Sequence, residues 1–489
     1  MISKGFLKSS VIYSIGGALP LMSSIVLLPF YANLLSISDF GILALYISFT
    51  FLVQILVNFG MDSFLIVHYY DYKDNPSELK KFIGTSAITL LIIGAICCAF
   101  FFIFGNIIFS FCFKKGDLSF FPFGLMSVIT AFFNSFFKNY TGLLINQQKP
   151  VRFLWLNLAN FFLTITISLI GLYEYPNSII GPMWGRLLSG VGIFLIAFYF
   201  YASEFGLTYH KKYVQTFWAF CFPLVIYFAL VWVLSYFDRF IVNQYLSKKD
   251  VGIYDFAIKC TLAIEFLQMG LINSILPKVY TIWKDKDDDE ASNQAVSKYF
   301  NGFTAITLLV IPLFLIVIPL VVPWVVHNKD FYASFYYLPI ICLGFLTRGM
   351  YYMFIGAITF YKKNKLLPSI FFISSIVQIA LDLVLIKNYS LMGVAIGALI
   401  IKPCQLIFIY FGTKKVKRFT INVKKQIYIP LIFSVLVLVD QHFISTVTWF
   451  PIQFIQLFIA LILLFWLYKQ EIKTLKKNFL KKKESIATE

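Results

Sequence analysis

About fourteen stretches of apolar sequence, each long enough to cross a bilayer, run through this 489-residue chain, and charged residues are set inside them. Lys, Arg or Asp at the centre of a membrane helix costs roughly 2.5–3.5 kcal/mol on insertion, so eight or more facing lipid would be prohibitive. They must line something wet or pair with one another. The chain is therefore expected to be a polytopic membrane protein with a polar interior, and its function should lie in that interior.

Composition narrows the fold. Hydrophobic residues make up 60% of the chain and charged ones only 13%, outside the range of soluble domains. A transmembrane barrel would show alternating segments of about ten residues, whereas these runs are continuous and about twice as long. An all-α fold follows. A net charge of +18 would suggest nucleic acid in a soluble chain. Here the basic residues flank the spans, and the excess of Lys and Arg in cytoplasmic loops explains it; no nucleic-acid partner is expected. The seven cysteines nearly all fall in apolar spans and show no metal spacing, so they read as small core residues, and neither a metal nor a cofactor is expected. Lys4 and Lys8 precede an apolar run too long for a signal peptide, which reads as a retained first helix.

The expected spans are 9–34, 40–67, 82–112, 118–145, 151–173, 178–202, 216–245, 251–274, 299–326, 332–360, 366–386, 391–412, 427–446 and 450–468. With both termini in the cytoplasm, about 29 of the 41 Lys and Arg fall in cytoplasmic segments, about 6 outside and about 6 within helices. The longest connection, about 275–298, carries the run Lys284 to Glu290, which reads as a solvated charged loop. An internal repeat is present. Leu35-Ser36-Ile37-Ser38-Asp39-Phe40-Gly41-Ile42 and Leu246-Ser247-Lys248-Lys249-Asp250-Val251-Gly252-Ile253 share L-S-x-x-D-x-G-I, six helices apart. Ser and Asp suit the N-terminus of the returning helix, where side-chain oxygens satisfy free amides. The repeat predicts two parallel six-helix lobes, 1–203 and 216–413, joined by a cytoplasmic linker at 204–215. Two further helices at 426–468 and a basic tail at 469–489 complete the chain.

Several stretches resemble the oligosaccharidyl-lipid flippases, of the O-antigen and capsule repeat-unit type. These belong to the superfamily that also holds multidrug-and-toxin-extrusion transporters and lipid II flippases. The residues that carry the resemblance are the Ser36 to Gly41 turn, Asn58-Phe59-Gly60-Met61-Asp62, Phe222-Pro223-Leu224, Phe237-Asp238-Arg239-Phe240-Ile241, Val251 to Lys259, and Gly393-Val394-Ala395-Ile396-Gly397-Ala398. The resemblance implies two lobes meeting as a V around a central cavity that opens alternately to either side of the inner membrane. It implies an undecaprenyl-diphosphate-linked oligosaccharide as cargo, coupling by antiport of H+ or Na+, and a polysaccharide polymerase or chain-length machinery as a partner.

A diphosphate head and its glycan cannot cross hydrocarbon unaided, because each unpaired polar group costs several kcal/mol. A carrier needs fixed cations for the diphosphate, and amides, hydroxyls and aromatic faces for the sugars. Six bases fall within spans: Lys138, Arg186, Arg239, Lys259, Arg348 and Lys402. Arg348 and Lys402 lie near the middle of their helices, where snorkelling is least available, and a guanidinium grips phosphate bidentately. Arg348 is the leading anion-binding candidate. Arg186 and Arg239 stand nearer the outer side, where Asp238 is also able to neutralise Arg239 and hold a helix end. Lys138, near a cytoplasmic end, has a snorkelling reading beside the cargo-binding one. Among the acids, Asp62, Asp255 and Glu265 are the ion-coupling candidates. Asp255 and Lys259 stand at i, i+4 and can pair, whereas Glu265 lacks a basic neighbour on its own helix. Asp382 and Asp440 read as structural or interfacial.

Three rival functions compete. A membrane glycan polymerase would carry a sizeable outer loop, and the four histidines are dispersed, so no catalytic residue is assigned. An organic-cation exporter would favour a carboxylate-rich cavity. A lipid II-type flippase shares the chemistry of the cargo and is the nearest alternative.

Overall fold

The protein is described by a computed structural model covering residues 4–113, 118–285, 290–414, 416–417, 419, 421–443 and 449–469. The chain is all helical, with no strand among the described residues. Eleven helices among the described residues are long and apolar enough to cross a membrane.

Two compact units share the chain: Met1–Lys259 with Val326–Phe331, and Cys260–Val325 with Tyr332–Glu489. The first holds α1 (Lys4–Leu34), α2 (Ile37–Asn58), α3 (Met61–Tyr72), α4 (Pro76–Cys112), α5 (Leu125–Asn146), α6 (Pro150–Glu174), α7 (Ile180–Phe205), α8 (Lys211–Tyr245) and α9 (Lys248–Cys260), whose last residue opens the second unit. Helix α8 packs on α2, α3 and α4. The second unit continues with α10 (Leu262–Asp285), α11 (Glu290–Val325), α12 (Leu338–Leu343), α13 (Arg348–Phe360), α14 (Leu367–Lys414), α15 (Ile429–Phe443) and α16 (Trp449–Leu467).

Several expected spans are broken or fused, each for a local reason. The second is interrupted where Phe59 and Gly60 both take left-handed backbone, which ends α2 and starts α3. The tenth passes from α12 through a 3-10 stretch, Gly344–Thr347, into α13, so Arg348 opens the regular helix. The eleventh and twelfth form one helix, α14, interrupted at Ser390 with φ 53° and ψ −138°. The loop expected at 275–298 is mostly helix, because α10 runs to Asp285 and α11 resumes at Glu290. Most of its charged run, 286–289, lies outside the described residues, as do the tail from 470 onward and the side chain of Asp440.

The two L-S-x-x-D-x-G-I segments have the same chemistry and touch. The Ser36 hydroxyl accepts from the Asp39 amide at 3.0 Å, and the Ser247 hydroxyl accepts from the Asp250 amide at 3.2 Å. Each hydroxyl also donates to its Asp carboxylate at 2.5 Å, so both helices begin on the same cap. A Cβ on Gly41 would lie 2.1 Å from the Lys248 carbonyl oxygen, and one on Gly252 would lie 2.1 Å from the Ile37 carbonyl oxygen. Each glycine thus meets the third residue of the other segment. The contact is reciprocal, and only a hydrogen side chain lets the two backbones approach so closely.

Aromatic packing fills the first unit. Phe49 stands edge-on to Phe101 and Phe109 at 5.5 and 5.0 Å, and the Trp232 indole donates to the Ser48 carbonyl at 2.8 Å, tying α8 to α2. In the second unit Trp283 is buried against Tyr280, Phe360 and Phe419.

Candidate functional site

Within the first unit, α2, α5 and α8 enclose a cleft of about 350 Å³. Its walls combine four aromatic rings (Phe51, Phe228, Trp232 and Tyr236), the amides of Gln54 and Asn58, and the Ser235 hydroxyl. Lys138 supplies the one formal charge among the lining residues. Aromatic faces and amides are what a glycan needs, and an ammonium is what a phosphate needs. Helix geometry assembles this lining from a few turns. Gln54 and Asn58 are four residues apart on α2, and Phe228, Val231, Trp232 and Ser235 follow the i, i+3, i+4, i+7 pattern on α8.

Lys138 is tethered rather than snorkelling freely. Its ammonium lies 2.8 Å from Asp62 Oδ2, with the Lys138 side chain 55% exposed and that of Asp62 16%. Asn58 Nδ2 donates to Asp62 Oδ1 at 2.9 Å, and Asn139 Nδ2 donates to Asn58 Oδ1 at 2.6 Å. The buried Asn139 Oδ1 has no partner among the described residues. This chain of polar groups sits where α2 breaks, since Asp62 occupies the first turn of α3.

Behind the cleft lies a buried ionic network. Arg239 Nε donates to Asp255 Oδ1 and Arg239 Nη1 to Asp238 Oδ1, both at 2.8 Å, and Nη1 also reaches the Ser235 carbonyl at 2.7 Å. The Tyr254 hydroxyl donates to Asp238 Oδ2 at 2.8 Å. Lys259 reaches Asp255 Oδ2 at 2.8 Å, forming the i, i+4 pair, and its ammonium lies 4.4 Å from the centre of the Phe40 ring. Two acids and two bases balance. The Arg239 guanidinium also stands 5.1 Å from the centre of the Tyr236 ring, which lines the cleft. Arg239 is only 4% exposed, so this network carries the wall of the cleft rather than facing into it. Arg186 has no carboxylate partner among the described residues, and its buried Nε is unpaired.

The second unit holds its own charged group. Arg348 Nη2 donates to Glu265 Oε1 at 2.8 Å, and its guanidinium lies 4.7 Å from the centre of the Phe345 ring. Glu265 is therefore paired, contrary to its reading along the helix alone: the partner comes from 83 positions away in sequence. Arg348 Nη1 is buried without a partner among the described residues, leaving one arm of the fork unused. One turn beyond Glu265, Gln268 donates to Thr307 Oγ1 and the Phe345 carbonyl at 3.0 and 3.1 Å. The aliphatic stem of Lys402 approaches Gly344, at 3.6 Å from where a Cβ would sit, just ahead of Arg348.

The structure thus sorts eight of the nine candidates into groups and leaves Arg186 apart from them. Lys138 joins Asp62 at the cleft; Arg239, Lys259 and Asp255 form the network; Arg348 joins Glu265, with Lys402 near the same 3-10 stretch. Sequence reasoning missed Phe51, Gln54, Phe228, Trp232, Ser235 and Tyr236. In a chain with 57 Phe and 29 Tyr, aromatic residues carry little signal. The available clue was the pair Gln54 and Asn58, four apart in an otherwise apolar helix.

Comparison with known proteins places the chain. Its fold is similar to that of lipid II flippase MurJ in an inward closed conformation, with TM-score 0.71 and 18% identity, covering 94% of this chain and 99% of that one. It is also similar to an inward-facing multidrug resistance MATE family transporter of the MOP superfamily, with TM-score 0.66 and 12% identity, covering 82% and 95%. In sequence it is 24% identical over 433 residues to the Lsg locus protein 1 of Haemophilus influenzae, covering 84% of this chain and 98% of that one. The family model for polysaccharide biosynthesis proteins matches residues 6–283, more than half of the chain and the whole cleft. The chain is thus a multi-pass membrane protein with the MurJ and MATE fold, and it belongs to the polysaccharide biosynthesis protein family.

Proposed function

We propose that this protein moves undecaprenyl-diphosphate-linked oligosaccharide repeat units, of the O-antigen or capsule type, from the cytoplasmic to the periplasmic leaflet of the inner membrane. It does so by alternating access of two lobes, with both termini in the cytoplasm. The observation that carries this reading is the cleft, which offers aromatic faces and the Gln54 amide to a sugar and Lys138 to a phosphate. A cationic drug would meet a positive charge there, which argues against an organic-cation exporter. Arg348, whose side chain is a quarter exposed, serves as a second anion-binding station. Arg186, with its unpaired Nε, and Lys402 are further contacts for the headgroup. Arg239 and Lys259 hold the wall. Transport is coupled to H+ or Na+. Of the three candidate carboxylates, Asp255 is saturated by two cations, which leaves Asp62 and Glu265 better placed. A polymerase or chain-length machinery receives the delivered unit.

The test is transport of a short glycan on undecaprenyl diphosphate in proteoliposomes, read by exposure of the sugar to an external lectin. Tyr236→Ala and Gln54→Ala are each expected to slow transport by about tenfold, the equivalent of ~1.4 kcal/mol of lost cargo contact. Membrane abundance should stay at the wild-type level. Wild-type rates in both variants would remove the cleft from the transport path. In cells, Arg348→Ala is expected to lower surface polysaccharide without lowering the amount of protein, and normal polymer levels would refute its role.

A further inference from the structure

Lys138 and Asp62 satisfy each other, and this sets up a conflict when an anion arrives. The Lys138 side chain lines the cleft and is more than half exposed, whereas that of Asp62 is largely covered. A phosphate entering the cleft meets Lys138 as the one formal charge among the lining residues. The phosphate must share that ammonium with Asp62. If Lys138 swings to the phosphate, Asp62 keeps the Asn58 Nδ2 and Ser63 amide hydrogen bonds, both at 2.9 Å, but loses its counter-charge. A largely buried carboxylate stripped of its cation is unstable unless another cation replaces it. Among the described residues the other groups beside it are the Asn58 amide, itself held by Asn139, and the Cys221 thiol of α8, and no second basic side chain pairs with it. The surroundings are suited to a small cation instead. Asp62 opens α3 at the break after α2, and the Asn139 Oδ1 next along the amide chain is 3% exposed and unpaired.

We infer that Asp62 is a monovalent-cation site and that Lys138 competes for it, so that the cation and the anionic headgroup bind cooperatively. A proton or a sodium ion takes the Asp62 carboxylate, and Lys138, still protonated, is released into the cleft to hold the diphosphate. No proton leaves the lysine; only its partner changes. Because linkage is reciprocal, the cation tightens headgroup binding by the same factor as the headgroup tightens cation binding. The inference rests on the flippase reading, from which it takes the diphosphate. It adds that cation and cargo load together at this site, in place of the antiport that the resemblance implies.

The experiment uses the full chain in lipid nanodiscs and farnesyl diphosphate as probe, with farnesol as the uncharged control and ionic strength held constant with choline chloride. Binding is titrated with rising sodium at fixed alkaline pH, and separately with acidification in the absence of sodium. Wild-type affinity for farnesyl diphosphate is expected to rise about tenfold in one of the two arms, which identifies the ion. In Asp62→Asn, Lys138 is free at the outset. Affinity should then match that of the cation-saturated wild type and stay flat in that arm. Lys138→Gln should lose about tenfold or more in affinity, and Lys138→Arg should restore both affinity and cation dependence. A wild type that binds farnesyl diphosphate with no response to either cation overturns the exchange while leaving the flippase reading intact, as does an Asp62→Asn variant that keeps the response. A wild type that binds farnesol as well as farnesyl diphosphate overturns the headgroup site itself. The wild-type titrations decide the matter even if Asp62→Asn cannot be recovered folded.

Discussion

Alanine in place of Gly41 should largely abolish the folded protein, although it adds a single carbon. That carbon would sit 2.1 Å from the carbonyl oxygen of Lys248 and 2.9 Å from the amide nitrogen of Gly252. The obstacles are backbone atoms of α9, which cannot rotate aside as a side chain can. The N-termini of α2 and α9 must therefore separate, opening the aromatic packing of Phe40 on Phe256 and Phe331 at 6.0 and 5.3 Å. Overpacking into a yielding core costs about 1–3 kcal/mol, and an unyielding backbone places this change at or above the upper limit, ~3 kcal/mol or more. Gly252→Ala should behave alike, because its Cβ would strike the Ile37 carbonyl oxygen at the same distance. Gly142→Ala is the control: nothing lies within 4 Å of its Cβ position, so it should leave stability unchanged or slightly improved. Thermal unfolding in detergent, followed by the reactivity of buried cysteines, measures all three. Equal midpoints for Gly41→Ala and Gly142→Ala would show that the close approach carries no weight.

Removing Arg239 is the second large expected loss. Its guanidinium is held by two carboxylates and a backbone carbonyl and is almost fully buried. Arg239→Ala leaves Asp238 with only the Tyr254 hydroxyl and the Arg239 backbone amide, and leaves Asp255 with Lys259. Breaking a buried pair by removing one partner costs about 3–5 kcal/mol, because the remaining charge is uncompensated. Asp238 bears most of that cost, since Asp255 keeps a cation. The double variant Arg239→Ala/Asp238→Asn should therefore recover a large part of the lost stability, measured by the same unfolding assay. A double variant as unstable as the single one would mean that Arg239 acts through packing, for instance on Tyr236, rather than through charge.

Glu265→Gln offers a smaller test in the second unit. A neutral amide oxygen still accepts from Arg348, so folding should persist while any cation dependence that Glu265 contributes disappears. Unchanged ion dependence of transport would assign coupling elsewhere, to Asp62 first.

How much of this was legible in the sequence depends on the range of the interactions. Helix placement was legible because burial in hydrocarbon acts on each twenty-residue window by itself. Even the shared cap of Ser36 with Asp39 and of Ser247 with Asp250 is local, three residues apart, and was visible as a repeat. The breaks were harder to see. Nothing in Asn58-Phe59-Gly60-Met61-Asp62 forces two successive left-handed residues, and glycine only permits them. The charged residues were recognisable as a set but not as a wiring diagram. Periodicity found the Asp255–Lys259 pair, whereas the partnerships of Lys138 with Asp62 and Arg348 with Glu265 cross between helices.

The sequence by itself determined that the chain is all helical, that it must sit in a membrane, and that its buried charges need partners or water, since hydrophobic length and the cost of a charge in lipid are properties of short segments. Only the tertiary structure decided which acid meets which base across helices. It alone put two matching glycines against each other's backbones, and it alone gathered a lysine, two amides and four aromatic rings around one cleft. Those arrangements depend on how helices far apart in the chain rotate and pack, and neither composition nor helical period carries that information.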